Sequence, residues 1–311
     1  MILMKRLPLV AAACLLAGLS LSACGTDAKD DGHTQVVASF YPAAFLAERV
    51  GGDDVAVTTL TSPGVEAHDL ELTAKQVVKV NEADVVVYLD HFQPAVDKAL
   101  EDADRDAKTT VNIAEGVPEL HEGEDDDAHE DDHGHDHGGD DPHVWLDPAN
   151  MVIAAGHVRD ALIAADPDRR DQFEANADAL VTELESLNAD FESGLADCER
   201  RDFVTSHAAF AYLAHAYDLE QIAISGIDPT AEPSSAALAE ITDLVKRDGI
   251  TTVFTERLAS SALAETVARE TGVATAVLDP IEGLSDETAD EDYVSLMRQN
   301  LAALQKANGC A

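Results

Sequence analysis

The middle of the chain constrains the fold most. Between Asp168 and Leu195, the apolar residues Phe173, Ala177, Leu180, Leu184, Leu187, Phe191 and Leu195 recur at steps of three and four. This spacing predicts one amphipathic helix of about seven turns, roughly 40 Å long at 1.5 Å per residue. Pro167 stands where a first turn accepts it. So long a stripe needs cover along its whole run, either inside one lobe or as a rigid strut packed along two.

The flanking segments favour the strut. Before it, Val36 to Phe40, Val55 to Leu60, Asp84 to Leu89 and Thr110 to Ile113 are short β-rich runs separated by helical patterns such as Ala43 to Val50 and Thr73 to Asn81. After it the pattern restarts, with strands at Asp202 to Thr205, Gln221 to Ile224, Thr251 to Thr255 and Ala274 to Leu278 and a helix at Ser235 to Arg247. Alternating strands and helices argue for parallel sheets. The fold class expected is therefore α/β: an amino-terminal lobe over 36–167, a linking helix over 168–195 and a carboxy-terminal lobe over 196–311.

The amino terminus sets the compartment. Lys5 and Arg6 precede an apolar run from Leu7 to Leu19, and Leu21-Ser22-Ala23-Cys24 then forms a small-residue cleavage site ending in cysteine. That run is shorter than the ~20 residues a spanning helix needs. It resembles a lipoprotein signal (1–23) in which Cys24 becomes the lipidated first residue, followed by a polar tether over 24–35; a plain secretory signal is the alternative. Either reading exports the protein. The lipid would be its only membrane attachment. With 61 acidic against 20 basic residues and a formal charge of −41, nucleic acid is excluded as a partner, because the chain would repel a phosphate backbone.

Residues Glu119 to Pro142 hold twelve acidic side chains and five histidines, His121, His129, His133, His135 and His137, with hardly an apolar group among them. Such a tract cannot bury a core and is expected to be a loop. It is either a weak auxiliary site for divalent metal or a solvated spacer.

Four other residues carry the sharper expectation. His68 lies in GVEAHDLEL after the second strand run, His143 in DPHVWLDP after the acidic tract, His207 in FVTSHAAF directly after the fifth run, and Asp279 in VLDPIEGL after the eighth. Three of the four sit at or beyond the carboxyl end of a strand, where open α/β sheets place their ligands. Two come from each lobe, so they can meet only in the cleft.

These residues resemble a known family: the metal-specific solute-binding proteins of ABC importers, in particular the zinc-binding, ZnuA-like branch. SFYPAAFLAERVGG, GVEAHDLEL, DPHVWLDP, TSHAAFAYLA, AEPSS and VLDPIEGL occur in order across almost the whole mature chain. The resemblance implies two Rossmann-like lobes with parallel sheets, a rigid linking helix and little closure on binding. The metal would be held between the lobes by His68, His143, His207 and Asp279. For Asp279, capping the turn at Pro280 is the alternative. Some relatives carry an acidic residue just before the first histidine; here Ala67 stands there and Glu66 one step earlier, so a part for Glu66 stays open. Glu232 and Glu256 match positions near the cleft that fix turns or orient ligands, and His33, His91, His157 and His215 match no ligand position.

Three imidazoles and a carboxylate suit tetrahedral Zn²⁺. Mn²⁺ prefers harder oxygen ligands and is the weaker alternative. The resemblance thus implies an extracytoplasmic monomer, lipid-anchored on the outer face of the cell membrane, that captures zinc for an ABC permease and performs no catalysis. An adhesin of the same family would share the metal site. A zinc hydrolase is the rival from another class, but four protein ligands would leave no position for reactive water, and the HExxH pattern is absent. Outside the signal and Cys24, Cys198 and Cys310 remain, expected as a disulfide in an oxidising exterior or else as free thiols.

Overall fold

The computed structural model describes residues 32–120 and 141–311. In the first lobe, strands β1 (Thr34–Ala38), β2 (Val55–Thr59), β3 (Val85–Tyr88) and β4 (Thr110–Asn112) form a parallel sheet in the order β2-β1-β3-β4. The second lobe repeats the arrangement. Its strands β5 (Asp202–Thr205), β6 (Glu220–Ala223), β7 (Thr252–Thr255) and β8 (Ala274–Val277) are parallel in the order β6-β5-β7-β8. Both sheets reverse direction of winding beside their first strand, between β1 and β3 and between β5 and β7. A crevice opens beyond the carboxyl ends of the strands at such a point.

The helices are α1 (Tyr41–Gly51), α2 (Ala74–Glu82), α3 (Pro94–Glu101), α4 (Pro148–Ala165), α5 (Arg170–Leu195), α6 (Ala211–Ala216), α7 (Ser235–Arg247), α8 (Ala262–Thr271) and α9 (Tyr293–Asn308). Local chemistry starts several of them. Thr73 and Gln76 form a reciprocal capping box on α2, Asp147 accepts from Ala149 at the start of α4, and Ser234 accepts from Ala237 on α7. No helix among the described residues is long and apolar enough to cross a membrane.

The long central helix α5 follows a 3-10 turn at Pro167–Arg169 and buries the seven stripe residues Phe173, Ala177, Leu180, Leu184, Leu187, Phe191 and Leu195. It packs against α1 and α4 of the first lobe and α9 of the second. Each large side chain buried there contributes roughly 1.5–3 kcal/mol. One apolar cluster runs without interruption from β1 and α1 through α4 and α5 to Phe203, Phe210 and α9, so the two lobes share a core. Opening the lobes like a hinge would expose part of it to water.

Polar links reinforce that shared core. Tyr293 on α9 donates to the Trp145 carbonyl at 2.6 Å, and the Trp145 indole donates to the Pro280 carbonyl at 2.7 Å. The Gly64 amide donates to the Leu284 carbonyl at 2.7 Å. A disulfide joins Cys198, just past α5, to Cys310, just past α9. The expected signal, Cys24, the tether up to residue 31 and all five tract histidines, His121, His129, His133, His135 and His137, lie outside the described residues, whereas the last two positions of the expected tether, Thr34 and Gln35, instead open β1.

Candidate metal centre

The cleft brings together His68, His143, His207 and Glu282, whose ligand atoms all lie within 4.8 Å of one another. Glu282 Oε1 is 3.4 Å from His68 Nε2, 3.5 Å from His143 Nε2 and 3.6 Å from His207 Nε2. His143 Nε2 and His207 Nε2 are 3.4 Å apart. A tetrahedron with its centre about 2.0–2.1 Å from each corner has edges of about 3.3–3.4 Å, so these four separations outline the shell that Zn²⁺ prefers.

Each imidazole is aimed by its own surroundings. His143 precedes the 3-10 turn Val144–Leu146 that leads into α4, and its ring and backbone nitrogens both face Asp141 Oδ1, at 2.7 and 2.9 Å. His207 follows β5, and its Nδ1 lies 2.8 Å from both oxygens of Glu256, the first residue after β7. A carboxylate on Nδ1 holds the proton there and leaves the Nε2 lone pair facing the centre. His68 is held differently. Its backbone N–H donates to Glu66 Oε1 at 2.9 Å, its ring packs edge-on against Phe92 at 4.6 Å, and buried Gln93 donates to the preceding carbonyl of Ala67 at 2.9 Å.

Burial and charge pull in opposite directions within the cluster. Burial alone would lower the pKa of His143, but the Asp141 charge, the hydrogen bond that His143 donates to Asp141 and the nearby Glu282 leave it raised. His207 is likewise penalised by burial, yet Glu256 and Glu282 push it up to about 10. Burial would raise Glu282, but the three histidines facing it hold it well below the usual carboxylate range. Glu66 is pushed up to about 8 by its own burial and by the neighbouring Glu282 charge.

Asp279, the carboxylate expected from the sequence as the fourth ligand, is not in this group. Its Oδ2 pairs with Arg257 Nε at 3.0 Å and its Oδ1 accepts the Ile281 amide at 2.9 Å, which is the turn-capping alternative. Asn300 fixes its backbone from both sides, at 2.8 and 2.7 Å. Within this turn Ile281 is buried and adopts φ +57°, a conformation that β-branched residues avoid. The left-handed step carries the chain round so that Glu282, three residues beyond Asp279, faces the histidines. In this geometry Asp279 serves the turn, while Glu282, which the sequence reading did not single out, stands in the same VLDPIEGL segment and faces the histidines.

The remaining sequence candidates separate by place. Glu256 orients His207, whereas Glu232 is exposed on the rim of a neighbouring cavity. His157 reaches the Glu115 carbonyl at 3.1 Å, and His33, His91 and His215 are exposed.

Comparison with known proteins gives the family. The model of the family described as zinc-uptake complex component A, periplasmic (ZnuA), matches residues 36–307. The zinc-binding lipoprotein AdcA of Streptococcus pneumoniae is 40% identical over 307 residues, covering 97% of this chain and 61% of the relative. The chain therefore spans about three-fifths of that relative's length. The high-affinity zinc uptake system protein ZnuA of Bacillus subtilis is 35% identical over 312 residues, covering 95% of each chain. The crystal structure of the Zn(II)-bound ZnuA-like domain of Streptococcus pneumoniae AdcA superimposes with a TM-score of 0.75 at 39% identity, over 89% of this chain and 99% of that one. On the family match, the full-length likeness to the Bacillus protein and the shared two-lobe fold, this chain belongs to the zinc-uptake complex component A family.

Proposed function

We propose that this chain is an extracytoplasmic receptor that captures Zn²⁺ in the cleft between its lobes and passes it to an ABC permease. The observation that carries this reading is the convergence of three Nε2 atoms and one carboxylate oxygen at tetrahedral spacing. His68, His143, His207 and Glu282 are its ligands, and Zn²⁺ is cargo that performs no reaction. Four protein ligands complete the coordination of zinc, which argues against hydrolysis because no corner is left for an activated water. Three imidazoles also favour zinc over manganese. The relatives' names, zinc-binding lipoprotein and zinc uptake protein, support the same cargo and, with the LSAC segment ending at Cys24, support attachment by lipid to the outer face of the cell membrane.

Competition between Zn²⁺ and Mn²⁺ for the purified chain in a metal-buffering chelator tests this. The expected result is one tightly held equivalent of zinc that manganese does not displace. Preferential retention of manganese would overturn the choice of cargo, and absence of any tight site would overturn the receptor reading.

A further inference from the structure

A cavity of about 530 Å³ opens beside the metal centre, lined by Glu66 and Asp69 of the first lobe and by Ser206, Ser225, Glu232 and Leu258 of the second. Ser206 is the immediate neighbour of His207. Access to the centre is unequal: the side chain of His68 is 14% exposed, against 4% or less for His143, His207 and Glu282. Among the described residues His68 is thus the ligand most open to solvent, and its neighbours in sequence Glu66 and Asp69 line the cavity.

Glu66 stands at that opening. One carboxylate oxygen is spent on the His68 amide, while Oε2 is buried and has no hydrogen-bond partner. Its carboxyl also lies close enough to Glu282 to interact with it directly. Glu66 thus lines the cavity on one side and faces the ligand carboxylate of Glu282 on the other, two acidic groups between which a cation fits.

We infer that Glu66 is the transfer ligand of this site, holding the divalent cation as it passes between the cavity and the four final ligands in either direction. The inference rests on the receptor reading above and deepens it. A transfer ligand speeds entry and exit together, because it lowers a barrier shared by both and is not retained in the final shell. It therefore changes rates without changing the equilibrium in proportion. Glu66→Gln isolates this property: the amide oxygen can still accept from the His68 amide and the amide nitrogen can face Glu282, but the carboxylate that would grip a cation is gone.

The test is stopped-flow mixing of the full metal-free chain with ZnCl₂, and of the zinc-loaded chain with excess chelator. Fluorescence of Trp145, whose ring centroid is 5.2 Å from that of His143, reports both. In Glu66→Gln, association and dissociation should each slow by about tenfold, the low end of what a charged entry site contributes to a rate, while Kd stays within about threefold. Unchanged rates would overturn the inference. So would faster dissociation with unaltered association, since that marks a fifth ligand of the bound state. If the unsubstituted chain shows no tight zinc binding, the receptor reading itself fails, and the two failures are told apart by that control.

Discussion

The two lobes share one strand order but fill the crevice at its reversal with different chemistry. In the first lobe the residues beyond β1 and β3 are Phe40 and Phe92, whose rings lie 4.9 Å apart, with Trp145 4.9 Å from Phe40. In the second lobe the residues beyond β5 and β7 are His207 and Glu256, joined at 2.8 Å. The first lobe thus lays an aromatic floor on which His68 and His143 rest from loops, whereas the second builds its ligand straight onto a charged anchor at the sheet edge. His68 is thus held chiefly by packing, whereas His143 and His207 are held by the carboxylates Asp141 and Glu256, so these ligands should fail differently.

The largest difference should follow removal of the ligands themselves. His207→Ala and His68→Ala should both lower zinc affinity by orders of magnitude, each 1.4 kcal/mol being about tenfold. Only His207→Ala should also weaken the metal-free fold strongly, by a few kcal/mol, because it strands buried Glu256 without its partner. Melting of the two metal-free variants checks this. Equal melting temperatures would erase the proposed contrast.

Next in size are the carboxylates behind the rings. Glu256→Gln and Asp141→Asn should each cost about 10–100-fold in zinc affinity, the usual loss when a partner that orients a metal-bound histidine is removed. The acid–base behaviour of the pairs gives a second reading. Because the pKa values of His143 and His207 are raised in the metal-free fold, their pairs stabilise it fully below the free imidazole value of about 6.5. That contribution fades as pH rises through the folded values, about 10 for His207. Zinc needs the bare Nε2, so binding near neutral pH should expel protons, and affinity should fall as pH falls. Calorimetry in buffers of different ionisation enthalpy measures the release, which should shrink in Glu256→Gln.

The aromatic floor should matter less. Phe92→Leu removes the edge-on support of His68 but no charge or ligand, so affinity should fall by under about tenfold, matching an aromatic contact of about 0.5–1.5 kcal/mol. A loss as large as that of Glu256→Gln would mean that packing holds His68 as firmly as charge holds His207. Smallest of all, for zinc, is the disulfide. Replacing Cys198 and Cys310 by Ala should leave affinity unchanged and lower the melting temperature. Closing a loop of about a hundred residues is worth at most about 4.7 kcal/mol in the chain-entropy model.

The fold was legible in the sequence where periodicity carries it. The three-and-four stripe from Phe173 to Leu195 marks the buried face of α5 residue for residue, and the eight β-rich runs correspond to the eight strands to within a residue or two at most ends. Three of the four residues that meet in the cleft were legible too, because a histidine just past a strand, or in a turn that opens a helix, is a local pattern. The fourth was not. Choosing between Asp279 and Glu282 depends on a left-handed step at Ile281 and on Arg257, 22 positions earlier in sequence, claiming the nearer carboxylate. Neither leaves a periodic trace. The Pro280 turn was the available hint, since a capping aspartate spends on backbone the oxygen it would offer a metal.

The account rests most heavily on which carboxylate completes the centre. Chelator-competition titration of Glu282→Ala beside Asp279→Asn, at one pH and ionic strength, decides it directly. With Glu282 as ligand, Glu282→Ala should lose zinc affinity by about a hundredfold or more, a cost of about 2.7 kcal/mol. Asp279→Asn keeps an oxygen for the Ile281 amide and should lose less than about tenfold. The reverse order, with Asp279→Asn crippled and Glu282→Ala close to the unsubstituted chain, would contradict it.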